Sequence, residues 1–118
     1  MRRNQALGAY GEEVAAGHLR RLGLEILDRN WRCAVGELDI VARDGATLVA
    51  VEVKTRASTA FGHPAEAVSP RKLRRLRQLV WRWLIAHERH APEVRIDVIT
   101  VIQGHTGPPQ VEHLSGVG

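Results

Sequence analysis

Residues 36–54 read Gly36-Glu37-Leu38-Asp39-Ile40-Val41-Ala42-Arg43-Asp44-Gly45-Ala46-Thr47-Leu48-Val49-Ala50-Val51-Glu52-Val53-Lys54. Two apolar runs flank an Asp-Gly dipeptide, which favours a two-residue hairpin turn because both turn positions need a positive φ. The pattern therefore predicts two antiparallel strands, at residues 37–43 and 46–56, with Asp44-Gly45 as the turn between them.

This turn fixes the pairing of the two strands. Arg43 faces Ala46, and counting outward places Glu37 directly opposite Glu52, with Asp39 diagonal to Glu52 at roughly 7–8 Å between backbones. Side chains alternate with a period of two along a strand. Four charged side chains are therefore expected on one face of the hairpin: Glu37, Asp39, Glu52 and Lys54.

Crowded carboxylates on an otherwise apolar hairpin indicate a cation site. Like charges directly opposite each other on neighbouring strands destabilise a sheet, and a bound cation removes that repulsion. Oxygen ligands from Asp39 and Glu52 suit a hard ion such as Mg²⁺ or Mn²⁺, whereas Zn²⁺ prefers Cys or His. We therefore predict Mg²⁺ or Mn²⁺ as the cofactor.

The same residues carry a family resemblance. Asp39 followed by Glu52-Val53-Lys54 resembles the PD-(D/E)xK nuclease signature, with Leu38 in place of the proline. Further segments, from about Leu7 to Val101, resemble the YraN family of small bacterial proteins, which is similar in sequence to archaeal Holliday-junction resolvases. These segments are Gly8-Ala9-Tyr10-Gly11-Glu12, Arg29-Asn30-Trp31-Arg32, Gly36-Glu37-Leu38-Asp39, Val51-Glu52-Val53-Lys54-Thr55-Arg56, Gly62-His63-Pro64-Ala65-Glu66-Ala67-Val68 and Lys72.

The resemblance implies a metal-dependent endonuclease acting on DNA, with branched or junction DNA as the expected structure. It implies metal ligation by Asp39, Glu52 and the Val53 carbonyl. The implied catalytic residues are Asp39, Glu52, Lys54, Glu12 and Glu37. Lys54 would stabilise the charge that develops on the phosphoryl group or hold the attacking water.

Each of these roles has a structural alternative. Lys54 could simply form a salt bridge with Glu52. Glu37 could be a hydrogen-bonding neighbour of the site rather than a ligand. Glu12 could stand near the start of the first helix only because a carboxylate is favourable to the helix dipole there.

Positive charge is concentrated in one predicted helix. The chain has a formal net charge of +4, but residues 68–90 contain seven Arg or Lys residues against Glu88 alone, so the remainder carries −2. Such a segment beside a carboxylate cluster is what binding to a polyanion needs, although an arginine-rich solvated helix is the plainer alternative. The candidate nucleic-acid contacts are Arg56, Lys72, Arg71 and Arg75.

The coarse order of elements indicates an α/β fold. Helices are predicted at residues 7–22, ended by Gly23, and from Ser69-Pro70 to about His90, ended by Ala91-Pro92. Strands are predicted at 25–32, in the hairpin and at 94–102, with a loop at 57–70, a short edge strand at 111–114 and a frayed tail at 115–118. Helix, three strands, helix, strand is the core order of the restriction-endonuclease-like fold, which implies a mixed sheet flanked by helices.

Length and composition indicate the number of domains and the cellular location. The 118 residues fit one domain, with its core at about 7–102, and no run approaches the roughly 18 apolar residues of a membrane span. A single cysteine, Cys33, and the absence of an apolar stretch after Arg2-Arg3 favour the cytoplasm.

The expected reaction also predicts the oligomeric state. Symmetric cutting of a junction by so small a domain implies a homodimer. Two other functions stay open: a nuclease-derived module that binds nucleic acid without cutting it, and a protein-interaction domain whose basic helix meets an acidic partner.

Overall fold

The computed structural model describes residues 2–57 and 68–118, with side chains from Ala6 onward. The elements are helix α1 (Arg2–Arg21), strands β1 (Glu25–Cys33), β2 (Gly36–Asp44) and β3 (Thr47–Arg56), helix α2 (Pro70–Ala86), and strands β4 (Glu93–Ile102) and β5 (Gln110–Leu114). The predicted loop at 57–70 and the motif at 62–68 fall largely outside the described residues.

One mixed sheet contains all five strands in the order β1-β2-β3-β4-β5. Neighbouring strands are antiparallel except β3 and β4, which are parallel. A parallel pair needs a crossover connection, and α2 lies in it. The predicted mixed α/β fold is confirmed, with the last long strand beside the hairpin and a fifth strand at the edge.

Each helix covers a different face of the sheet. Ala15, Ala16 and Leu19 of α1 are fully buried against one face, which includes Val49 and Ile99. On the other face α2 buries five residues, Leu76, Leu79, Val80, Trp83 and Leu84. The apolar spacing of both helices predicted these layers. Neither helix is long and apolar enough, over its described residues, to cross a membrane.

Both helices end in the same hydrogen-bonded motif. In α1, Gly23 has a φ of 91°, and Leu24 N–H donates to the Leu19 carbonyl, as the sequence predicted from Gly23. In α2 the equivalent left-handed residue is Glu88, with a φ of 50°, and Arg89 N–H donates to the Leu84 carbonyl. The prediction that α2 runs to His90 is therefore wrong, because a non-glycine residue ends it four residues earlier.

The hairpin turn differs from its predicted position by one residue. Asp44 pairs with Thr47, so the turn is Gly45-Ala46, and Gly45 has a φ of 62°. Arg43 therefore faces Leu48 rather than Ala46, and the predicted direct pairing of Glu37 with Glu52 is wrong. A positive φ is needed only at the first turn position, which is the pattern of a type II′ turn.

The alternation of β2 breaks next to Asp39. Leu38 packs in the layer under α2, whereas Ile40, two residues on, packs in the layer under α1. On β1, Asn30 lies between the pairs Arg29–Ile40 and Trp31–Leu38 and has a φ of 54°. Asp39 lies opposite this left-handed residue, at the point where the side chains of β2 change from one face of the sheet to the other.

The carboxyl-terminal tail is tied down rather than frayed. Val117 N–H donates to the Ile96 carbonyl at 2.8 Å, and Gly116 N–H donates to Asp97 Oδ1 at 3.0 Å. The buried Asp97 also accepts from Arg95 and His113. The predicted fraying of residues 115–118 is wrong because this carboxylate holds the tail.

Gly11 marks the closest approach of α1 to β3. A Cβ added at Gly11 would lie 1.9 Å from Thr55 Oγ1 and 2.9 Å from Thr55 Cβ. A Cβ at Gly8, on the same helix, would meet nothing within 4 Å.

We predict that Gly11→Ala lowers the free energy of unfolding by about 1–3 kcal/mol, because the added methyl group would overlap the β-branched side chain of Thr55. The matched control, Gly8→Ala, should raise it by about 0.5–1 kcal/mol through helix propensity. Thermal and urea unfolding measure both variants. Equal stability of the two would contradict the close approach.

Candidate functional site

Asp39 is anchored where the pairing of β2 with β3 ends. The last hydrogen-bonded pair of the hairpin is Ile40–Val51. Beyond it, Val53 N–H donates to Asp39 Oδ2 at 2.8 Å. The side chain thus takes the place of a backbone acceptor, which holds the carboxylate against β3.

Negative charge surrounds Asp39. Burial raises the pKa of its carboxyl group from 3.8 to about 7, helped by Glu52 and, more weakly, Glu37 and Glu12, and opposed by the Val53 N–H. Within the described part of the chain, no Lys, Arg or His forms a salt bridge with Asp39. Among these residues Lys72 acts on Asp39 through its charge alone, without a salt bridge, and the carboxyl group is held by a main-chain donor.

Glu52 is paired with two lysines. Its Oε1 lies 2.9 Å from Lys72 Nζ and 3.4 Å from Lys54 Nζ, and its side chain is 12% exposed. Burial and the adjacent Lys72 lower the pKa of Lys54, despite the attraction of Glu52. Burial also acts to lower the pKa of Lys72, but its hydrogen bonds to Lys54 and Glu52 outweigh this and raise it.

The start of α2 positions Lys72. Ser69 caps the helix, and its side-chain oxygen accepts from Lys72 N–H at 3.1 Å. Pro70 follows at the first helical position, where its missing N–H costs nothing. The predicted Ser69-Pro70 helix start is confirmed. Lys72, predicted as a phosphate contact, lies inside the site, where it pairs with Glu52.

Glu12 and Glu37 are each held by an arginine. Glu12 Oε1 accepts from Arg29 Nε at 3.0 Å and from Asn30 Nδ2 at 2.9 Å. Glu37 Oε2 accepts from Arg32 Nε at 2.5 Å. Sequence reasoning assigned no role to these three partners, although they belong to the Arg29-Asn30-Trp31-Arg32 segment that carried the family resemblance. They fix the acids that surround Asp39.

Two cavities meet at these acids. One, of about 930 Å³, lies beside α1 and is bordered by Glu12, Lys54 and Arg29. The other, of about 420 Å³, lies beside α2 and is bordered by Glu52 and Lys72. Asp39 and Glu37 border both cavities. The four predicted side chains therefore do not share one face of the hairpin; they meet where the two cavities join.

The predicted nucleic-acid contacts separate into two groups. Arg71 and Arg75 border the α2-side cavity together with Lys72. Arg56 borders neither cavity and ends β3, where its carbonyl accepts from Gln103 N–H. The structure thus brings three of the four candidates to the carboxylates.

A metal ion here would have few protein ligands. Among the described residues, no group of three or more His, Cys, Asp and Glu side chains is arranged to hold a metal ion. Glu37 lies near Asp39 but pairs with Arg32, so the three carboxylates do not form a common set of metal ligands. Asp39 and Glu52 still fit Mg²⁺, which usually takes one or two carboxylates and completes its shell with water and substrate phosphate.

We predict that Asp39→Asn stabilises the metal-free protein above pH 7. A raised carboxyl pKa means that the folded state binds more protons than the unfolded state between about pH 4 and 7, so stability falls as pH rises through that window. The asparagine removes this loss and can still accept from Val53 N–H. The gain should be about 2–4 kcal/mol at pH 8 and vanish near pH 4, measured by thermal unfolding in chelator.

The control is Asp44→Asn on the exposed end of β2, where the carboxylate pairs with Arg95 at 3.2 Å. It should leave the pH dependence unchanged. A lower melting temperature for Asp39→Asn than for the wild type at pH 8 would contradict the electrostatic description of the site.

Comparison with known proteins identifies the family. A family model described as "Uncharacterised protein family UPF0102" matches residues 11–101. A UPF0102 protein of Beutenbergia cavernae is 62% identical over 118 residues, which cover all of both chains. One of Arthrobacter sp. (strain FB24) is 54% identical over the full length of both, and one of Mycolicibacterium smegmatis is 56% identical over 95% of this chain and 92% of its own. The chain belongs to the UPF0102 family.

Proposed function

We propose that this protein hydrolyses phosphodiester bonds in DNA with the help of Mg²⁺ or Mn²⁺. One observation carries the proposal: Asp39 is buried beside three other carboxylates and forms no salt bridge with the described residues, while cationic side chains line the adjoining cavity. A folded protein gains no stability from this arrangement, and perturbed carboxyl pKa values cluster at functional sites.

The cation would be held by the carboxylates of Asp39 and Glu52, with the Val53 carbonyl as a further ligand. When bound, it polarises a phosphoryl oxygen and lowers the pKa of its water. For the chain itself, this fit explains why Asp39 is kept in place by Val53 N–H rather than by a lysine or arginine. The side chain is oriented while its charge stays uncompensated.

Lys54 is the group placed to act on the reacting phosphate. Its amine borders the α1-side cavity with Asp39 and lies 3.4 Å from Glu52. The pKa of Lys54 is lowered by burial and by Lys72, so this ammonium holds its proton less tightly than an exposed lysine. Lys54 can thus offset developing phosphoryl charge or orient the attacking water.

Two features support DNA as the substrate: the positive charge at the α2-side cavity and the resemblance to known nuclease families. Arg71 and Arg75 at the rim of the α2-side cavity suit phosphates that enter it. The resemblance to the PD-(D/E)xK nucleases, the YraN family and the archaeal Holliday-junction resolvases favours branched DNA, a homodimer that cuts two strands, and a cytoplasmic location.

A second candidate function is a module that binds nucleic acid without cutting. The observation in its favour is that two lysines already neutralise Glu52, which gives this acid a structural role without any metal. The two functions differ in one measurable respect, the cleavage of DNA in the presence of a divalent cation.

We predict cleavage of DNA in Mg²⁺ or Mn²⁺ and none in chelator. Purified protein is incubated with duplex, single-stranded, flapped and four-way DNA. Asp39→Ala and Glu52→Ala should each lower the cleavage rate at least about 100-fold while DNA binding is retained, because each removes a ligand of the proposed cation.

The matched control is Glu25→Ala, which removes an exposed β1 carboxylate that pairs with Arg43 and borders neither cavity. It should cut like the wild type. Wild-type protein that binds DNA but cuts none of the four substrates would favour the non-catalytic module, and cutting that persists in Asp39→Ala would refute the assigned site.

We further predict that Lys54→Met lowers the single-turnover cleavage rate about 100-fold with little change in DNA affinity, because a preorganised cation acts mainly on the transition state. Arg20→Met, which removes an exposed cation near the end of α1, is the control and should cut normally. Loss of affinity without loss of rate in Lys54→Met would instead make Lys54 a binding residue.

A further inference from the structure

The exposed face of α2 carries arginines that form no salt bridge with the described residues. The helix contains six cations and no carboxylate: Arg71, Lys72, Arg74, Arg75, Arg77 and Arg82. Lys72 pairs with Glu52, and Arg77 donates to the Gly118 carbonyl at 3.3 Å. The other four are exposed, and none forms a salt bridge with the described residues. Their mutual repulsion calls for an anionic partner.

Two large apolar side chains continue this face. Trp81 is 65% exposed and Ile85 is 74% exposed. With Trp31 and Cys33 of β1, they border an open groove of about 630 Å³ between α2 and the edge of the sheet. Trp83, two residues from Trp81, is only 1% exposed and donates to Asp28, so Trp81 is the indole left for a ligand.

The arginines and Trp81 form one continuous stripe that starts at the candidate site. Residues at spacings of three and four lie on the same side of a helix. The stripe consists of Arg71, Arg74, Arg75, Gln78, Trp81, Arg82 and Ile85. Arg71 and Arg75 border the cavity that holds Glu52, and Trp81 lies about 15 Å from Arg71 along the helix at 1.5 Å per residue.

We propose that this stripe binds a single-stranded segment of the nucleic-acid substrate, with its phosphates on the arginines and one unpaired base stacked on Trp81. The inference rests on the proposed function only for the nature of the substrate. About 15 Å corresponds to about four stacked nucleotides at a 3.4 Å rise. Trp81 would thus contact a base about four nucleotides from the phosphate bound at Arg71.

The exposed Trp81 indole would favour single-stranded over duplex nucleic acid. A duplex presents phosphates to a basic helix but hides the faces of its bases, whereas every unpaired base offers a face for stacking. A groove lined by Trp81, Trp31 and Ile85 has the flat apolar walls that such a base needs.

A second copy of the chain fits this surface poorly. A two-fold symmetric contact brings the same patch of both subunits together. On α2 it would place Arg74 and Arg82 of one copy close to those of the other, with no carboxylate on either helix to offset them. Nucleic acid fits this surface better, because its phosphates can pair with the arginines and an unpaired base can stack on the Trp81 indole.

The test measures binding in chelator, so that it does not depend on cleavage. Fluorescence anisotropy of labelled oligonucleotides gives the affinities of full-length protein for a single strand and for the duplex of the same sequence. Trp81→Ala should weaken single-strand binding by about 5- to 100-fold, whereas the duplex affinity should change less than about 2-fold. Trp81→Phe should retain most of the affinity, since it keeps an aromatic face.

Two further variants separate charge from stacking. Arg74→Gln should weaken binding to both forms of DNA and reduce the salt dependence, because it removes a phosphate contact. Arg20→Gln removes an exposed arginine of α1, on the opposite face of the sheet; it is the control and should change affinity less than about 2-fold.

The outcomes are distinct. Equal single-strand affinity of Trp81→Ala and wild type overturns the inference, and so does a Trp81→Ala variant that only converts a dimer to a monomer in light scattering. If Trp81-dependent single-strand binding is present but no cleavage occurs in Mg²⁺ or Mn²⁺, the inference holds and the proposed catalysis fails.

Discussion

The hydrogen bond from Val53 N–H to the Asp39 carboxylate is the contact on which the site depends. It forms where the ladder between β2 and β3 ends, so a side chain replaces a main-chain acceptor at the centre of the sheet. A buried N–H without an acceptor would be costly, which makes Asp39 part of the fold as well as of the site. The same bond holds the acid next to Glu52, whose charge opposes its ionisation.

The acidic residues of the site differ in whether a cationic side chain pairs with them. Glu12 and Glu37 are neutralised by Arg29 and Arg32, and Glu52 by its two lysines. Among the described residues, Asp39 has the Val53 N–H as its donor and forms no salt bridge. This imbalance is the feature from which we infer an external cation.

Much of this arrangement could be predicted from the sequence. The element order, the Gly23 and Ser69-Pro70 helix boundaries and the neighbourhood of Asp39, Glu52 and Lys54 follow from local patterns. The predictions fail where a residue adopts an uncommon backbone conformation or is held by a residue distant in the sequence. Asn30 and Glu88 are left-handed without being glycine, and the tail is held by the distant Asp97. Local propensity contains no signal for such contacts.

The most direct measurement is the pKa of the Asp39 carboxyl group, read from its side-chain ¹³C shift by NMR in metal-free protein and again with Mg²⁺. We predict a pKa of about 7 without metal, set by burial and the neighbouring acids, and a clear fall when Mg²⁺ is added. A pKa near the ordinary value of 3.8 in metal-free protein, unchanged by Mg²⁺, would contradict an uncompensated carboxylate at the centre of the site.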